Sequence, residues 1–314
     1  MFLCLSLNPA VDRRLKMDLL QVGKVNRVCQ AHEAPGGKAA HVAMVLRTLG
    51  AAPLWLGFAG GTTGAILIEG LRQMGIRAEA VPMRGKTRTN LEILEAGERV
   101  TEILEPGPEI SSGELDEFRS TFESMLAGAE NIVTVILSGS LPPGVPQGYY
   151  ASLIRAARKC RARVFLDTSG EPLRSGLAAD PDFVKPNREE AESWSGRSID
   201  GIHSAREVLK QMLEQGAAAG AISLGSDGLV WGSRAERETL VARIPKQSSP
   251  SCVGSGDATL AGFAFASEKG WSPEESVRIA AACGVANCIA EEPGRALAAD
   301  IARLEQEIHI ETLE

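Results

Sequence analysis

The stretch Cys252-Val253-Gly254-Ser255-Gly256-Asp257 sets a glycine turn directly ahead of a carboxylate, and Ala258 to Ala266 follows as a run of small and apolar residues. The run reads as a buried helix, and the turn opens onto its start. N–H groups at a helix start lack intrahelical acceptors and sit at the positive end of the helix dipole. Glycines let an anion approach them closely, so Gly254, Ser255 and Gly256 form a candidate phosphate cradle. A carboxylate beside such a cradle repels phosphate unless Asp257 has other work. Taking a proton from a hydroxyl as it attacks phosphorus is work of that kind. The alternative is an aspartate that simply begins a helix.

Other polar groups fall at the ends of expected strands. Residues 1–7 read as a buried strand ending in Asn8-Pro9-Ala10-Val11-Asp12. Open α/β sheets place ligands in loops of this kind. Asp12 would accept hydrogen bonds from sugar hydroxyls there, or is a turn aspartate. Gly36, Gly37 and Lys38 run into a helix that continues through Leu49 and stops at Gly50. The glycines admit a small ligand, and Lys38 adds positive charge. His41 falls one turn into that helix, facing the turn, as a pocket residue or a structural one. A strand from Asn131 to Leu137 leads into Ser138-Gly139-Ser140-Leu141-Pro142-Pro143-Gly144, a rigid loop with two hydroxyls. Lys185 and Asn187 flank Pro186. Asn187 and Glu190 stand one turn apart, as a water-mediated Mg²⁺ pair or as the ends of a capping box. Ser223 to Gly228 is a further glycine-bearing turn after a strand.

The elements that must carry these groups follow from periodicity. Residues 54–58 read as a strand and 63–74 as a helix ending at Gly75. Lys86 to Leu94 and Val100 to Leu104 alternate on either side of Ala96-Gly97-Glu98, which predicts a hairpin. Arg88 is its strongest basic candidate, or a solvated hairpin charge. A hairpin does not belong in a βαβ series, so with residues 13–33 it predicts a separate small sheet. Regular alternation resumes at Ser111, with helices over 113–127, 147–160 and 203–215. Strands are expected over 163–166, 219–223, 229–231 and 239–242. Helices over 274–290 and 297–307 close the chain.

A length of 314 residues suits one large α/β domain with a small appendage. The net charge of −7 argues against a general nucleic-acid or membrane-surface binder. No apolar run is long enough to span a bilayer, and the N-terminal segment reads as a strand rather than a signal peptide. Six cysteines without a CxxC pair read as reduced core cysteines of a cytoplasmic protein. The four dispersed histidines suggest no zinc site. A P-loop ending at Gly85-Lys86-Thr87 needs glycine at position 80, which is alanine, and a dinucleotide fingerprint from Gly254 needs glycine at 259, which is threonine.

The ordered set of these stretches, with Thr87-Arg88-Thr89-Asn90 and Lys185-Pro186-Asn187-Arg188-Glu189-Glu190, covers nearly the whole chain. It resembles the ribokinase-like (PfkB-type) sugar kinases, and within them the phosphosugar branch of 1-phosphofructokinase and tagatose-6-phosphate kinase. The resemblance implies an α/β fold with a doubly wound, mostly parallel sheet, helices on both faces, and a small β-sheet lid, here about 13–33 and 86–104 of a single 1–314 domain. It implies ATP-dependent, Mg²⁺-assisted phosphorylation of a sugar phosphate to a bisphosphate, with fructose 1-phosphate or tagatose 6-phosphate as acceptor. By the match, Asp257 is the general base and the 254–256 turn the anion hole. Asp12, Gly36, Gly37, His41 and Asn90 would line the sugar pocket. Lys24, Lys38, Arg88 and Ser140 would face the phosphate already on the substrate. Lys185, Asn187, Ser223, Gly225 and Gly228 would serve the nucleotide, with Asn187 and Glu190 holding Mg²⁺ through water. Ser251 and Val253 are candidates for a monovalent cation such as K⁺. Relatives often dimerise through the lid, so a homodimer is expected.

Three positions depart from the family pattern. Ala39 and His41 replace the glycine and asparagine of GGKGxN, Ser255 stands where alanine is usual, and Thr101 stands where some phosphofructokinases carry arginine. A kinase of an unphosphorylated sugar or nucleoside, and a non-catalytic sugar sensor, are the alternatives. A nicotinamide dehydrogenase lacks its fingerprint.

Overall fold

The apolar start of the chain becomes a central strand. This computed structural model describes residues 1–96, 99–129, 134–236, 238–246 and 251–313. The chain begins with strands β1 (Phe2–Ser6), β2 (Ala10–Met17) and β3 (Gln30–Gly36), helix α1 (Lys38–Thr48), β4 (Pro53–Ala59) and α2 (Gly61–Gln73). Strands β5 (Arg77–Pro82), β6 (Arg88–Glu95) and β7 (Val100–Leu104) follow, then α3 (Ser112–Ala127), β8 (Thr134–Ser138), α4 (Tyr149–Lys159) and β9 (Arg163–Asp167). Next come α5 (Gly170–Leu177), β10 (Phe183–Val184), α6 (Arg188–Ser195), α7 (Ile202–Glu214) and β11 (Ala219–Ser223). The chain ends with β12 (Leu229–Ser233), β13 (Thr239–Arg243), α8 (Ser255–Lys269), α9 (Pro273–Cys288), α10 (Ala298–Glu307) and β14 (His309–Leu313).

Among the described residues the main sheet has ten strands in the order β14-β13-β12-β11-β10-β9-β8-β1-β4-β5. The strands from β5 to β11 run parallel, and β12, β13 and β14 continue antiparallel. Both faces of β1 are buried. Leu3 and Leu5 enter one apolar core with Phe118, Phe122 and Leu209, while Phe2 and Cys4 enter the other with Val42, Leu260 and Phe263. A strand covered on both faces reads as a continuous apolar run, which is why β1 was legible. Helix α8 is buried almost all round. A Cβ on its Gly262 would lie 2.6 Å from Ala280 Cα, so α8 and α9 approach backbone to backbone.

The chain leaves β1 toward β4 on one side and returns at β8 on the other. That reversal makes the carboxyl ends of β1 and β8 the topological switch point, where open sheets form a crevice. The second sheet, in the order β3-β2-β6-β7, stands over this crevice. Its four strands overlap the ranges 13–33 and 86–104, with β2 beginning earlier, at Ala10, and β3 ending later, at Gly36.

Sequence periodicity missed β5 and β14, the two edge strands. Each carries charged or polar residues (Arg77 and Glu79; His309 and Glu311) and hides little apolar surface, so neither shows a strand signature. Only Cys4 and Cys283 are buried cysteines. Cys29, Cys160 and Cys252 are exposed, against the expectation of core cysteines. Gly97, Glu98 and residues 131–133, part of the expected hairpin turn and strand, lie outside the described residues.

Candidate active site

A cleft of about 1090 Å³ opens at the switch point. The second sheet and α1 give it Asp12, Gly37, Lys38, His41, Arg88 and Asn90. The loop after β8 gives Ser140, and the segments after β10 and β11 give Lys185, Asn187, Glu190, Ser223, Gly225 and Gly228. The Gly254–Asp257 turn lines the same cleft. Asn8 Nδ2 donates to Ser140 Oγ at 3.1 Å and so ties the loops after β1 and β8 across the switch point. Two of the residues expected to meet the substrate are not on the lining. Gly36 lies beneath Asp12, where a Cβ would be 2.1 Å from the carboxyl carbon. Lys24 is exposed, because the connection between β2 and β3 runs out into solvent and carries it away from the cleft.

The turn ahead of α8 is built as a cradle. Gly254 caps the helix with φ 79°, a left-handed conformation that disfavours a side chain. Asn287 of α9 is buried and pins the turn: its Nδ2 donates to Val253 O at 2.8 Å, and its Oδ1 accepts from Gly294 N at 2.7 Å. The N–H groups of Gly256 and Asp257 sit in the first turn, where no intrahelical acceptor exists. A Cβ on Gly256 would lie 3.1 Å from Lys185 Nζ, so that buried ammonium stands directly over the turn. Asn287 was not singled out from sequence. Its one signal is a polar side chain inside the otherwise apolar Ala280 to Cys288 run.

His41 stands between two carboxylates. Nδ1 lies 2.9 Å from Asp257 Oδ2 and hydrogen bonds to it. Nε2 lies 2.9 Å from Asp12 Oδ2 but out of line for a good hydrogen bond, so this contact is chiefly charge against charge. Burial disfavours the imidazolium, but Asp12 and Asp257 outweigh it and push the His41 pKa up to about 10. Burial likewise opposes ionised Asp12, yet His41 and the Asn90 amide, which donates to Asp12 Oδ1 at 2.9 Å, hold it below the usual carboxylate range.

Asp167 ends β9, one residue beyond the strand expected over 163–166. It is buried, with Lys38 Nζ at 3.1 Å and Lys185 Nζ at 3.6 Å. Lys38 also reaches Glu190 Oε1 at 3.2 Å. Burial works against the Lys38 cation, and the charges of Asp167, Glu190 and Asp257 more than reverse this, raising it above the usual lysine range. Lys38 is therefore drawn toward the acidic pair, whereas the sequence reading turned it toward a substrate phosphate. Arg88 spends its donors on Asn8 O and Glu105 O.

The sequence of the chain also matches known proteins over most of its length. The model of the pfkB family of carbohydrate kinases matches residues 6–298. The chain belongs to that family. The kinase is 35% identical to the 1-phosphofructokinase of Xanthomonas campestris pv. campestris, over 83% of this chain and 82% of that one. It is 32% identical to the 1-phosphofructokinase of Bacillus subtilis, over 94% of each chain. Its structure aligns with Escherichia coli phosphofructokinase-2 in complex with substrates and products at a TM-score of 0.89, with 26% identity over 98% of both chains. The same Escherichia coli enzyme is also known in complex with potassium, at 25% identity and a TM-score of 0.89. This chain is thus an ATP-dependent sugar kinase, acting on small molecules, and the family implies Mg²⁺. No helix among the described residues is long and apolar enough to cross a membrane.

The residues expected to serve the nucleotide are held mainly by backbone. Ser223 N donates to Pro186 O at 3.2 Å, which places the turn after β11 beside Lys185 and Asn187. Gly228, with φ 98°, lies so close to Ala242 O that a Cβ would be 2.0 Å away. Asn187 and Glu190 form a capping box: Glu190 N donates to Asn187 Oδ1 at 2.8 Å, and Asn187 N donates to Glu190 Oε2 at 2.9 Å. Among the described residues no three acidic, cysteine or histidine side chains converge as a metal cluster. The donors nevertheless suit Mg²⁺, which takes few carboxylates and keeps its water. Asp167 Oδ2 is a buried oxygen with no hydrogen-bond partner, next to Glu190 through Lys38. Of the monovalent-cation candidates, Val253 O accepts from Asn287, and Ser251 Oγ donates to Glu92 Oε1 at 2.5 Å.

Proposed function

We propose that the enzyme transfers the γ-phosphoryl group of ATP to a hydroxyl of a sugar phosphate, giving a bisphosphate, with fructose 1-phosphate or tagatose 6-phosphate as acceptor. One observation carries the reading: Asp257 is a buried carboxylate at the start of α8, beside a glycine cradle, and is joined through His41 to the sugar-side Asp12. The two curated relatives named above are 1-phosphofructokinases, which supports a phosphorylated acceptor.

Asp12 and Asn90 hold acceptor hydroxyls. Asp257 Oδ1, the oxygen not engaged by His41, takes the proton as the hydroxyl oxygen bonds to phosphorus and the bond to the bridging oxygen of ADP breaks. The 254–256 N–H groups and Lys185 meet the charge that develops on the transferring group. Asn187 and Glu190 would hold Mg²⁺ through water, where it would neutralise phosphate charge. Ser251 and Val253 are the proposed K⁺ ligands. The second sheet is the proposed lid, which shuts water out of the transfer. A homodimer through that lid and a cytoplasmic location, where ATP is available, complete the proposal.

A second reading, an unphosphorylated acceptor, is favoured by charge. Lys38 is committed to Asp167 and Glu190, and Glu102 on β7 brings a further carboxylate to the cleft beside Glu92.

The test is ADP release with Mg²⁺-ATP across hexose monophosphates, free hexoses and nucleosides, with Asp257→Asn alongside. A phosphohexose should turn over, and the variant should lose about 10²–10⁴ in rate. Turnover of a free sugar alone selects the second reading. No turnover, with a sugar still raising the melting temperature, marks a sensor.

A further inference from the structure

We propose that His41 is a positioning residue whose imidazolium clamps the base Asp257 to the sugar-binding Asp12, leaving the other oxygen of Asp257 to face the acceptor hydroxyl. This rests on the kinase reading above. The two ring nitrogens each meet one carboxylate oxygen at 2.9 Å, Asp257 on α8 and Asp12 on β2. The ring is 4% exposed, and its helix cannot shift toward the 294 turn, where a Cβ on Gly294 would already lie 3.1 Å from His41 Cα. Asn90 fixes the far oxygen of Asp12. The two carboxylates are thereby set at one distance from each other, a distance that a bound sugar must match.

The asparagine usual at this position presents its donors from a single nitrogen, accepts at its oxygen and carries no charge. It cannot set a positive charge between two carboxylates on opposite sides, so the clamp belongs to histidine. The charged groups around the ring come from every neighbouring element. Lys38 precedes it on α1, Asp257 faces it from α8, and Asp12 faces it from β2, where Arg14 pairs with Glu92 of β6 at 2.7 Å. Arg88 on β6 acts on Asp12, and Glu102 on β7 feels the ring charge. Loss of the ring proton would leave two buried carboxylates without the cation between them and release Asp257.

Two measurements test this. The His41 ring resonances of ¹⁵N-labelled protein are titrated in the unchanged chain, in Asp12→Asn and in Asp257→Asn. Both ring nitrogens should stay protonated to about pH 9 in the unchanged chain, and each variant should lower the midpoint by about one unit or more. The pH profile of kcat is then compared with that of His41→Asn. The unchanged enzyme should lose kcat above about pH 9–10. The variant should lose about tenfold in kcat at neutral pH, with the acceptor KM within about threefold, and should lack that alkaline limb. A ring that titrates near its ordinary value of about 6.5, or an alkaline limb shared by the variant, overturns the proposal. If no acceptor turns over, the kinase reading fails, and a ring midpoint that either aspartate variant leaves unchanged overturns the clamp independently.

Discussion

Asp167 illustrates how a single carboxylate can set the direction of charges around it. It is 1% exposed and faces Lys185, itself 2% exposed, and Lys38, whose side chain is about a third exposed. Without it two ammonium groups would face each other with little water between them. Removing one partner of a buried ionic group leaves an uncompensated charge, which costs more than the pair contributes. Asp167→Asn should therefore destabilise the protein by roughly 3 kcal/mol, less than a fully buried pair because Lys38 reaches solvent. The urea midpoint should fall with the m-value unchanged. An unaltered midpoint would mean that the lysines find other partners, Glu190 first.

At the scale of elements, the close packing of β3 on β2 decides where Asp12 points. Ala10 pairs with Gly36 and Asp12 with Ala34, so the strand edge beneath the carboxylate is a glycine. Gly36 is not held in a left-handed conformation, so alanine is allowed by the backbone, but its methyl would meet the Asp12 carboxylate at 2.1–2.5 Å. The carboxylate must then rotate off Asn90 and His41. Gly36→Ala should raise the acceptor KM by about tenfold or more while the KM for ATP changes little, and steady-state kinetics on both substrates would read this. Equal losses for both would point to disruption of the whole cleft. Elements of this kind were largely visible in the sequence. The buried parallel strands are continuous apolar runs, and the glycine turns before α1 and α8 announce themselves by residue type. The partnerships were not visible. His41 meets Asp257 across 216 positions, and Lys38 meets Asp167 across 129. Neither separation has a periodic trace, so Asp167 and Asn287 read as a strand end and a helix residue. Lys24, named by the resemblance and by no local pattern, lies on the exposed β2–β3 connection, off the cleft lining.

At the scale of the molecule, the exposed large apolar side chains are unevenly distributed. Among the described residues Leu19, Val22, Val25 and Val28 lie on the β2–β3 connection, and Ile103 and Leu104 lie on β7; Val22 and Val25 are 94% and 82% exposed. These six belong to the small second sheet and its connection, whereas the other four, Met1, Ile66, Trp271 and Leu297, are scattered over the rest of the molecule. Isolated exposed apolar residues need no explanation, but a concentration on one small element does. The β7 strand is also an edge, with backbone groups open to pairing. A second copy offering the same face would cover both in an isologous contact. Sedimentation velocity at micromolar concentration should give a dimer, and the double substitution Val22→Asp, Val25→Asp should shift it toward monomer by burying charge at the contact. If the lid must be braced by its partner to close, the monomeric variant should also lose kcat while its thermal midpoint stays within a few degrees. A dimer insensitive to both aspartates would place the contact elsewhere, and a monomeric unchanged protein would leave the six side chains to cover the cleft rather than a partner.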